Sequence, residues 1–430
     1  MSKQKRDFLL LRMDPDKKVR ILMKNILVIG FSTRNIVCSG KRAGYNMYSI
    51  DAFCDHDLLQ CSAGSKKLDV GETFDIDNIC LEGLVELIES FNVSFDAIIP
   101  GSGFETIGLE KLPYRILGNE PGLMKEVSDK YNFSRLLKRL KIDHPETVLL
   151  SEIDKLQLPV IVKPACSGGG IFNTKVETEA DIKALHEMVR NTNIPVCKSV
   201  MIAQEYVDGT PASVSVISTK DKACAVAVNE QLIGIPWLTK TPFAYCGNIT
   251  PYATPYASEM KKISEELILE LGLVGSNGVD FIISEEGPVV IEVNARFQGS
   301  LDSVEMATGI NLFDAHMKAF EGNINIGENP EIQYAGRAIL YAGREMKMAE
   351  AVQKKLLEMN VCDIPNVGQV INPEEPVISV LCSGKGREDI LSGIEESVIF
   401  IRESLNLLDS YNNLKLADNV KNQSGLASKG

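Results

Sequence analysis

Two acidic residues, Asp280 and Glu292, are the clearest candidates for chemistry in this 430-residue chain. They lie in residues 278–296, where two alternating apolar runs flank the turn-forming residues 285–287, a pattern that predicts a β-hairpin. With Glu286 at the centre of the turn, Asp280 lies directly opposite Glu292 on one face of the ladder. Like charges in that position repel each other. The pair therefore needs a cation, and oxygen ligands of this kind suit Mg²⁺.

The same alternation assigns the neighbouring side chains to two faces. Asn294 and Arg296 share the face of Glu292. The opposite face is predicted to enter a core and contains Val279, Phe281, Ile283, Val289, Ile291 and Val293. An alternative is a solvated hairpin edge on which Arg296 and a lysine neutralise the acids, so the hairpin alone does not establish a metal site.

A second group of residues is suited to phosphate. Lys163 follows the apolar strand at residues 160–162, and Ser167, Gly168, Gly169 and Gly170 form a flexible loop just after it. Glycines let backbone N–H groups approach phosphate oxygens, and a lysine adds a point charge. The Walker A pattern does not occur in the sequence.

Two further residues flank this phosphate-binding candidate. A helical stretch is predicted from Pro121, and Lys130 lies at the start of its helix SDKYNFSRLLKRLKI; the alternative for any single lysine is plain solvation. Cys166, beside the glycine loop, is expected to be a packing residue rather than a nucleophile.

Between two predicted strands, a short extended linker could present its backbone to a purine edge. It consists of Gln204, Glu205, Tyr206, Val207 and Asp208. It is followed by the strand ACAVAVNEQLIG, by a loop at residues 236–256 and by an amphipathic helix at 258–271. Glu230 and Gln231 in that strand are expected either to line the cleft that binds the substrate or simply to end the strand.

The N-terminal part, from residue 24, reads as a βαβ unit, but the glycine fingerprint of a dinucleotide site is missing after Gly30. Asp51 is therefore expected to cap the end of a strand. Glu105 follows a later strand in the Gly/Ser loop at 101–105, a place where open α/β sheets bind ligands. It is a candidate for binding a substrate amine, or it caps the next helix.

Composition limits the classes of function. The net charge of −13 argues against general nucleic-acid binding, and no apolar run is long enough for a membrane span. The ten cysteines are scattered without metal-binding spacing, and those in apolar strands, such as Cys224, are expected to be buried thiols. Cytoplasm is the compartment expected for such a chain.

Taken in order, Lys130, VKPACSGGG, QEYVDG, VDFI and IEVNARFQGS resemble the ATP-grasp superfamily, and most closely the ATP-dependent carboligases related to biotin carboxylase. The resemblance covers about residues 23–345. It implies an α/β fold (α+β in the catalytic part) with an N-terminal pre-ATP-grasp domain, a lysine-bearing helical subdomain, a glycine-loop lobe and a metal-binding antiparallel sheet. It also implies ATP as cosubstrate and Mg²⁺ or Mn²⁺, with two ions expected.

The resemblance also implies a role for each matching residue. Lys130 and Lys163 would hold the ATP phosphates under the loop 167–170, and residues 204–208 would bind adenine. Asp280 and Glu292 would bridge metal to phosphate, with Asn294 completing the set. Arg296, with Lys163, would be catalytic and steady the developing charge.

Two departures from the family accompany these roles. The acid that binds ribose in many relatives is replaced by Pro211 and Ala212, and Asp208 is the candidate to take its place. Asp280 stands where biotin carboxylases usually have glutamate, a change that keeps the charge.

Domains are expected at residues 23–120, 121–330 and 331–410, between a disordered extension at 1–22 and a disordered tail at 411–430. The C-terminal lobe is expected to cover the site or to form a homodimer contact.

The function predicted is an ATP-dependent carboxylate–amine ligase that works through an acyl phosphate on small-molecule carboxylate and amine substrates: an amino acid, a peptide or a cofactor precursor. Gly299 and Ser300, before a helix beginning near Leu301, are candidates for binding the substrate together with Glu105 and Gln231. The alternatives are biotin-carboxylase-like carboxylation through carboxyphosphate and a non-catalytic nucleotide-binding regulatory protein.

Overall fold

The structure, a computed structural model, describes residues 24–70, 81–166, 168–170, 172–191, 200–326 and 333–405. The predicted extension at 1–22 and the predicted tail at 411–430 lie outside these ranges. Among the described residues, no helix has both the length and the apolar character needed to cross a bilayer.

An N-terminal unit is built on a parallel sheet with the strand order β3-β2-β1-β4 in the described part of the chain. Its elements are β1 Asn25–Gly30, α1 Arg34–Arg42, β2 Asn46–Asp51, α2 His56–Cys61, β3 Gly64–Lys67, α3 Leu81–Glu89 and β4 Ala97–Pro100. Asp51 ends β2, where its carboxylate accepts hydrogen bonds from the backbone N–H groups of Thr33 and Cys54. The predicted strand-end role of Asp51 is confirmed.

Cysteine usage differs from the expectation in two places. Cys38 of α1 and Cys61 of α2 form a disulfide, which the scattered spacing did not reveal because the two helices meet only in the fold. Cys224 is only partly buried, whereas Cys54, Cys246 and Cys362 are buried free thiols.

Two short helices follow the N-terminal unit, α4 Pro121–Ser128 and α5 Lys130–Leu140. The sequence predicted one helical stretch here. Asp129 divides it, because its carboxylate accepts hydrogen bonds from the N–H groups of Tyr131 and Asn132 and so caps α5. Lys130 consequently becomes the first residue of α5, as predicted.

The glycine-loop lobe is a small antiparallel sheet with the strand order β5-β8-β6-β7. Its elements are β5 Thr147–Leu149, β6 Val160–Pro164, β7 Thr174–Val176, α6 Glu179–Asn191 and β8 Met201–Glu205. Val160, Val162 and Ala203 are fully buried and form its small core with other apolar residues.

The central element of the molecule is an antiparallel sheet with the strand order β13-β12-β9-β10-β11-β14-β18-β16 among the described residues. Its first part contains β9 Thr210–Ser218, β10 Ala223–Ile233, β11 Tyr245–Thr250, α7 Ala257–Glu270, β12 Gly275–Ser284, β13 Gly287–Asn294, α8 Leu301–Thr308 and α9 Leu312–Ala319. The loop predicted at 236–256 is wrong in part, because residues 245–250 form β11 and pair with β10 and β14.

The C-terminal part continues the same sheet. It contains β14 Tyr334–Tyr341, β15 Met346–Lys347, α10 Glu350–Leu356, β16 Val361–Cys362, β17 Val370–Ile371, β18 Pro376–Gly384 and α11 Arg387–Ser404. Because β14 pairs with β11, the boundary predicted near residue 330 divides one sheet rather than separating two.

Strand β1 packs on both of its faces. Leu27 and Ile29 belong to a core within the N-terminal unit, whereas Ile26 and Val28 join a cluster that includes Phe297 and other residues after the β12–β13 hairpin. This shared core holds the N-terminal unit against the end of the hairpin.

Candidate active site

The hairpin of β12 and β13 places Asp280 directly opposite Glu292, as predicted. The turn is one residue shorter than expected, because Ser284 pairs with Gly287. A β-bulge at Ile291, between the pairs Phe281–Val290 and Asp280–Glu292, restores the predicted register at the acidic pair.

The bulge changes which side chains enter the core. Val290 is fully buried, whereas Val289 and Ile291, which were predicted to be core residues, are only partly buried. Val279, Phe281 and Val293 are buried as predicted, and Ile283 packs partly buried against the same cluster.

Asp280 is held by two amide side chains. Gln231 Nε2 donates to Oδ1 at 3.1 Å, and Asn294 Nδ2 donates to Oδ2 at 3.0 Å. Burial and the charge of Glu292 raise the pKa of Asp280 to about 7. Gln231, predicted as a substrate residue, therefore lies at the acidic pair.

Glu292 is paired with a lysine from another subdomain. Lys130 Nζ lies 3.1 Å from Glu292 Oε2. Although burial acts in the opposite direction, Lys130 and Lys163 lower the pKa of Glu292. The backbone N–H of Lys130 also donates to the carbonyl of Ala165, which ties the start of α5 to the segment after β6.

The donor set fits a hard divalent cation. Two carboxylates and the amide of Asn294 share one face, where burial first and the charge of Glu292 second raise the pKa of Asp280. Among the described residues, no cluster of three or more His, Cys, Asp or Glu side chains suits a metal. A metal at this hairpin would therefore rest on the two carboxylates with an amide oxygen.

Lys163 lies one residue before the end of β6, with its side chain buried. Its Nζ lies 2.7 Å from Gln204 Oε1, and Gln204 Nε2 donates to Thr147 Oγ1 at 2.9 Å. Burial and the neighbouring Lys130 lower the pKa of Lys163 to about 7. Gln204, predicted in the adenine linker, thus orients Lys163 in this structure, and Thr147 is a supporting residue that the sequence did not single out.

The rest of the predicted linker joins β8 to β9 and is more exposed. The backbone N–H of Tyr206 donates to the carbonyl of Pro159, and Lys175 Nζ lies 4.2 Å from the centre of the Tyr206 ring. Glu205 and Asp208 are exposed, and Val207 is partly buried. Adenine binding by residues 204–208 stays a prediction.

The glycine loop rests on the segment before β11. The carbonyl of Gly169 accepts a hydrogen bond of 3.2 Å from the backbone N–H of Tyr245. Gly170 has a φ of +73°, and a Cβ there would overlap the carbonyl of Phe243, so only glycine fits. Gly168 precedes them in an exposed position, and Ser167 lies outside the described residues.

Arg296 lies just past β13 and has three partners. Its guanidinium donates to Asn294 Oδ1 at 3.1 Å and to the carbonyl of Phe297 at 3.2 Å. It also forms an ion pair with Glu105 of the N-terminal unit. The helix-capping alternative for Glu105 is therefore replaced by a link to the predicted catalytic arginine.

The predicted substrate loop is held by C-terminal residues. The carbonyl of Gly299 accepts a 3.0 Å hydrogen bond from Arg337, and Ser300 is a buried residue that precedes α8. A Cβ at Gly299 would lie 3.0 Å from the ring of Tyr245. Sequence reasoning missed Tyr245 and Arg337, although the polar alternation in YCGNIT was a signal for the first.

Known proteins are similar to this chain in sequence. Residues 127–300 match the family described as an ATP-grasp domain. An uncharacterized protein of Methanocaldococcus jannaschii is 27% identical over 391 residues, which cover 86% of this chain and 91% of that protein. The carbamoyl phosphate synthase large chain of Pyrococcus furiosus is 24% identical over 261 residues, 56% of this chain and 24% of that protein. This chain thus spans about a quarter of the synthase's length.

Solved structures resemble the chain over most of its length. N5-carboxyaminoimidazole ribonucleotide synthetase in its ADP complex has a TM-score of 0.66 at 16% identity, covering 89% of this chain and 98% of that one. The biotin carboxylase domain of Hydrogenobacter thermophilus 2-oxoglutarate carboxylase has a TM-score of 0.62 at 15% identity, covering 84% of this chain and 86% of that one. The L-amino acid ligase of Bacillus licheniformis has a TM-score of 0.62 at 19% identity, covering 89% of this chain and 96% of that one. The fold predicted from the sequence is confirmed.

Proposed function

Because this chain carries an ATP-grasp domain of the kind found in the carboligases related to biotin carboxylase, we propose that it is an ATP-dependent carboxylate–amine ligase. It activates a small-molecule carboxylate as an acyl phosphate and joins it to an amine, releasing ADP and phosphate. The prediction of an ATP-grasp enzyme agrees with the ligase and synthetases among its structural neighbours.

One observation carries the proposal: two lysines, an acidic pair and an arginine converge at the hairpin. Lys130 lies 3.1 Å from Glu292, and Lys163 adds a second positive charge that lowers the pKa of Glu292. Arg296 is linked to Asp280 through the amide of Asn294. Phosphoryl transfer needs such positioning and charge neutralisation more than it needs a nucleophilic side chain.

The proposed reaction has two steps. A carboxylate oxygen of the first substrate attacks the γ-phosphorus of ATP, the bond to the bridging oxygen breaks, and ADP leaves. The amine of the second substrate then attacks the acyl carbon, the carbon–oxygen bond to phosphate breaks, and the nitrogen loses a proton. The products are an amide and inorganic phosphate.

The residues of this chain divide the work between binding and charge stabilisation. Lys130 and Lys163 neutralise phosphate oxygens, and the glycine loop covers them with its backbone. Arg296 stabilises the charge that develops on the reacting carboxylate. Mg²⁺ or Mn²⁺ held by Asp280, Glu292 and Asn294 would supply further neutralisation of the phosphates, and two ions are proposed.

A second candidate is ATP-dependent carboxylation, in which bicarbonate takes the place of the substrate carboxylate. It is favoured by the similarity to the biotin carboxylase domain, whose structure was determined with MgADP and bicarbonate.

That domain forms a dimer, and a homodimer of this chain is proposed by analogy, to be tested by light scattering.

The test is ADP release with Mg·ATP and pools of small carboxylates, each with and without hydroxylamine. Hydroxylamine converts an acyl phosphate into a hydroxamate, so the proposal expects a hydroxamate from at least one pool. The variant Glu292→Gln should form none while keeping its circular dichroism spectrum. Glu286→Gln, at the exposed tip of the same hairpin, is the matched control and should react like the wild type.

Other outcomes decide against the ligase. ADP release that depends on bicarbonate alone identifies carboxylation. Binding of ATP without turnover in any pool supports a non-catalytic regulatory protein.

A further inference from the structure

Three polar side chains share one face of the glycine-loop lobe. Gln204 of β8 lies opposite Thr147 of β5 and opposite Ile161 of β6, and alternation puts Lys163 on the same face as Ile161. Thr147, Lys163 and Gln204 are only 8%, 5% and 5% exposed, so water can satisfy little of their hydrogen-bonding capacity. The three side chains therefore depend on one another, and on nearby backbone, for hydrogen-bond partners.

The chemistry of these groups fixes the orientation of the Gln204 amide. An ammonium group can only donate, so the atom that lies 2.7 Å from Lys163 Nζ is the amide oxygen. The amide nitrogen then faces Thr147 Oγ1 at 2.9 Å. Thr147 can accept this hydrogen bond because its own hydroxyl donates to the carbonyl of Pro145, at 3.0 Å. Reversing the amide would set its NH₂ group against the ammonium group.

The acceptor that holds Lys163 is also neutral. A carboxylate in the place of Gln204 would form an ion pair with Lys163 and would compete with phosphate for its charge. The amide oxygen holds the side chain in position and leaves that charge uncompensated. It takes one of the three N–H groups of the ammonium, so up to two are left for phosphate oxygens.

We propose that Gln204, fixed by Thr147, is a positioning residue that presents Lys163 to the triphosphate of ATP, and that it does not recognise adenine. The inference rests on the proposed function, because it takes Lys163 as a phosphate ligand. It makes Thr147, whose hydroxyl has both of its partners within the protein, a determinant of phosphate affinity.

The test compares ATP with inorganic tripolyphosphate, which carries phosphates without a base or a ribose. Binding of each is measured by calorimetry with Mg²⁺ and without a carboxylate or an amine substrate. Gln204→Met removes the acceptor and adds no charge. Both ligands should then bind about tenfold more weakly, because Lys163 is no longer held in place before the phosphates arrive. Loss of a contact to adenine would instead weaken ATP alone.

A second substitution tests the need for a neutral acceptor. Gln204→Glu keeps the shape of the side chain but pairs a carboxylate with Lys163, and it should weaken both ligands by more than Gln204→Met does. Gln157→Glu adds the same charge at an exposed position of the same lobe and is the matched control. It should bind both ligands like the wild type.

Thr147 provides a variant that restores binding. Thr147→Val keeps the size of the side chain but removes the hydroxyl, so the amide loses the bond that fixes its orientation. Both ligands should bind several-fold more weakly. Thr147→Ser keeps the hydroxyl and should bind both like the wild type. Circular dichroism confirms that each variant is folded, and should Thr147→Val fail to fold, the Gln204 variants decide the matter.

Four results overturn the proposal. Tripolyphosphate does not bind the wild-type protein, Gln204→Met binds it as tightly as the wild type does, Gln204→Met weakens ATP alone, or Thr147→Ser is weakened as much as Thr147→Val. None of these measurements involves turnover, so hydroxamate formation by the wild type would leave the ligase standing in each case. Conversely, the expected binding pattern without hydroxamate would remove the ligase and keep the role of Gln204.

Discussion

Asp280 and Glu292 face each other across β12 and β13 because a bulge at Ile291 compensates for a turn one residue shorter than expected. The two carboxylates thereby lie directly opposite each other, and Glu292 forms an ion pair with Lys130. Repulsion between them destabilises the protein without a cation, and a bound cation would relieve that repulsion.

This relationship predicts a trade between stability and activity. In Asp280→Asn the repulsion is gone, so without metal the thermal midpoint should equal or exceed that of the wild type. Mg²⁺-dependent ADP formation should fall at least about 100-fold, because the proposed metal site loses a charged ligand. Glu292→Gln should lose the same activity but be destabilised, by about 1–3 kcal/mol, since it removes a charged partner of Lys130. A lower midpoint for Asp280→Asn would show that the repulsion is not significant.

The lowered pKa of Lys163 leads us to expect that the protein takes up a proton when nucleotide binds. The pKa is lowered to about 7, so at pH 7.5 the amine is mainly neutral in the free protein. Phosphate charges favour the ammonium form, and the protein should therefore gain protons on binding. Calorimetry of ATP binding in Tris and HEPES, with EDTA present, should give heats that depend on the buffer. The dependence should become markedly smaller in Lys163→Met and persist unchanged in Lys138→Met, which changes an exposed lysine.

Because His316 is buried, the protein is expected to lose stability in mild acid. His316 Nδ1 accepts a hydrogen bond from the N–H of Ser276, and burial lowers the pKa of His316 to about 4 from an ordinary value of 6.5. The unfolded chain therefore binds a proton between pH 6.5 and 4 that the folded chain excludes. The free energy of unfolding should fall over that interval by about 3 kcal/mol on account of this residue and then level off.

Urea denaturation of the wild type and of His316→Gln between pH 7.5 and 4.5 measures this contribution. The variant should be less stable at pH 7.5 but should lose less stability as the pH falls. Parallel curves for the two proteins would assign the acid sensitivity to other groups.

Substitution of Arg34, which lies outside the candidate site, is expected to lower the stability of the protein strongly. The Arg34 guanidinium donates to both oxygens of Asp302, at 3.0 and 2.6 Å, and to Asp363 at 2.8 Å, and so joins the N-terminal unit to α8 and to the C-terminal part. Although burial opposes it, Arg34 and Arg337 hold the pKa of Asp363 well below its usual range.

Arg34→Met should therefore destabilise the protein by about 3–5 kcal/mol, because buried carboxylates lose their cation. Arg42→Met, on the same helix, removes the pair between Arg42, which is half-exposed, and Glu305, which is buried and keeps hydrogen bonds from Ser39 Oγ and the backbone N–H of Leu312; it should cost about 1 kcal/mol. Thermal unfolding compares the two. Equal effects would mean that the buried cluster adds nothing beyond a single pair with one half-exposed member.

The local pattern of the sequence was enough for the elements and for the main site candidates. Alternation predicted the hairpin and the face shared by Asp280 and Glu292, which depend on residues close together in the chain and on strand periodicity. The ATP-grasp fold, which the comparisons confirm, was predicted from the resemblance of motifs that follow one another in order along the chain.

The tertiary structure decided the contacts between distant segments, which no local pattern encodes. It set Lys130 against Glu292, Gln231 against Asp280 and Glu105 against Arg296. It also turned residues 245–250 into a strand and joined the C-terminal strands to the sheet that carries Asp280 and Glu292. Packing of whole elements governs such pairings, because a strand's partner depends on which edge remains open once the other elements have assembled.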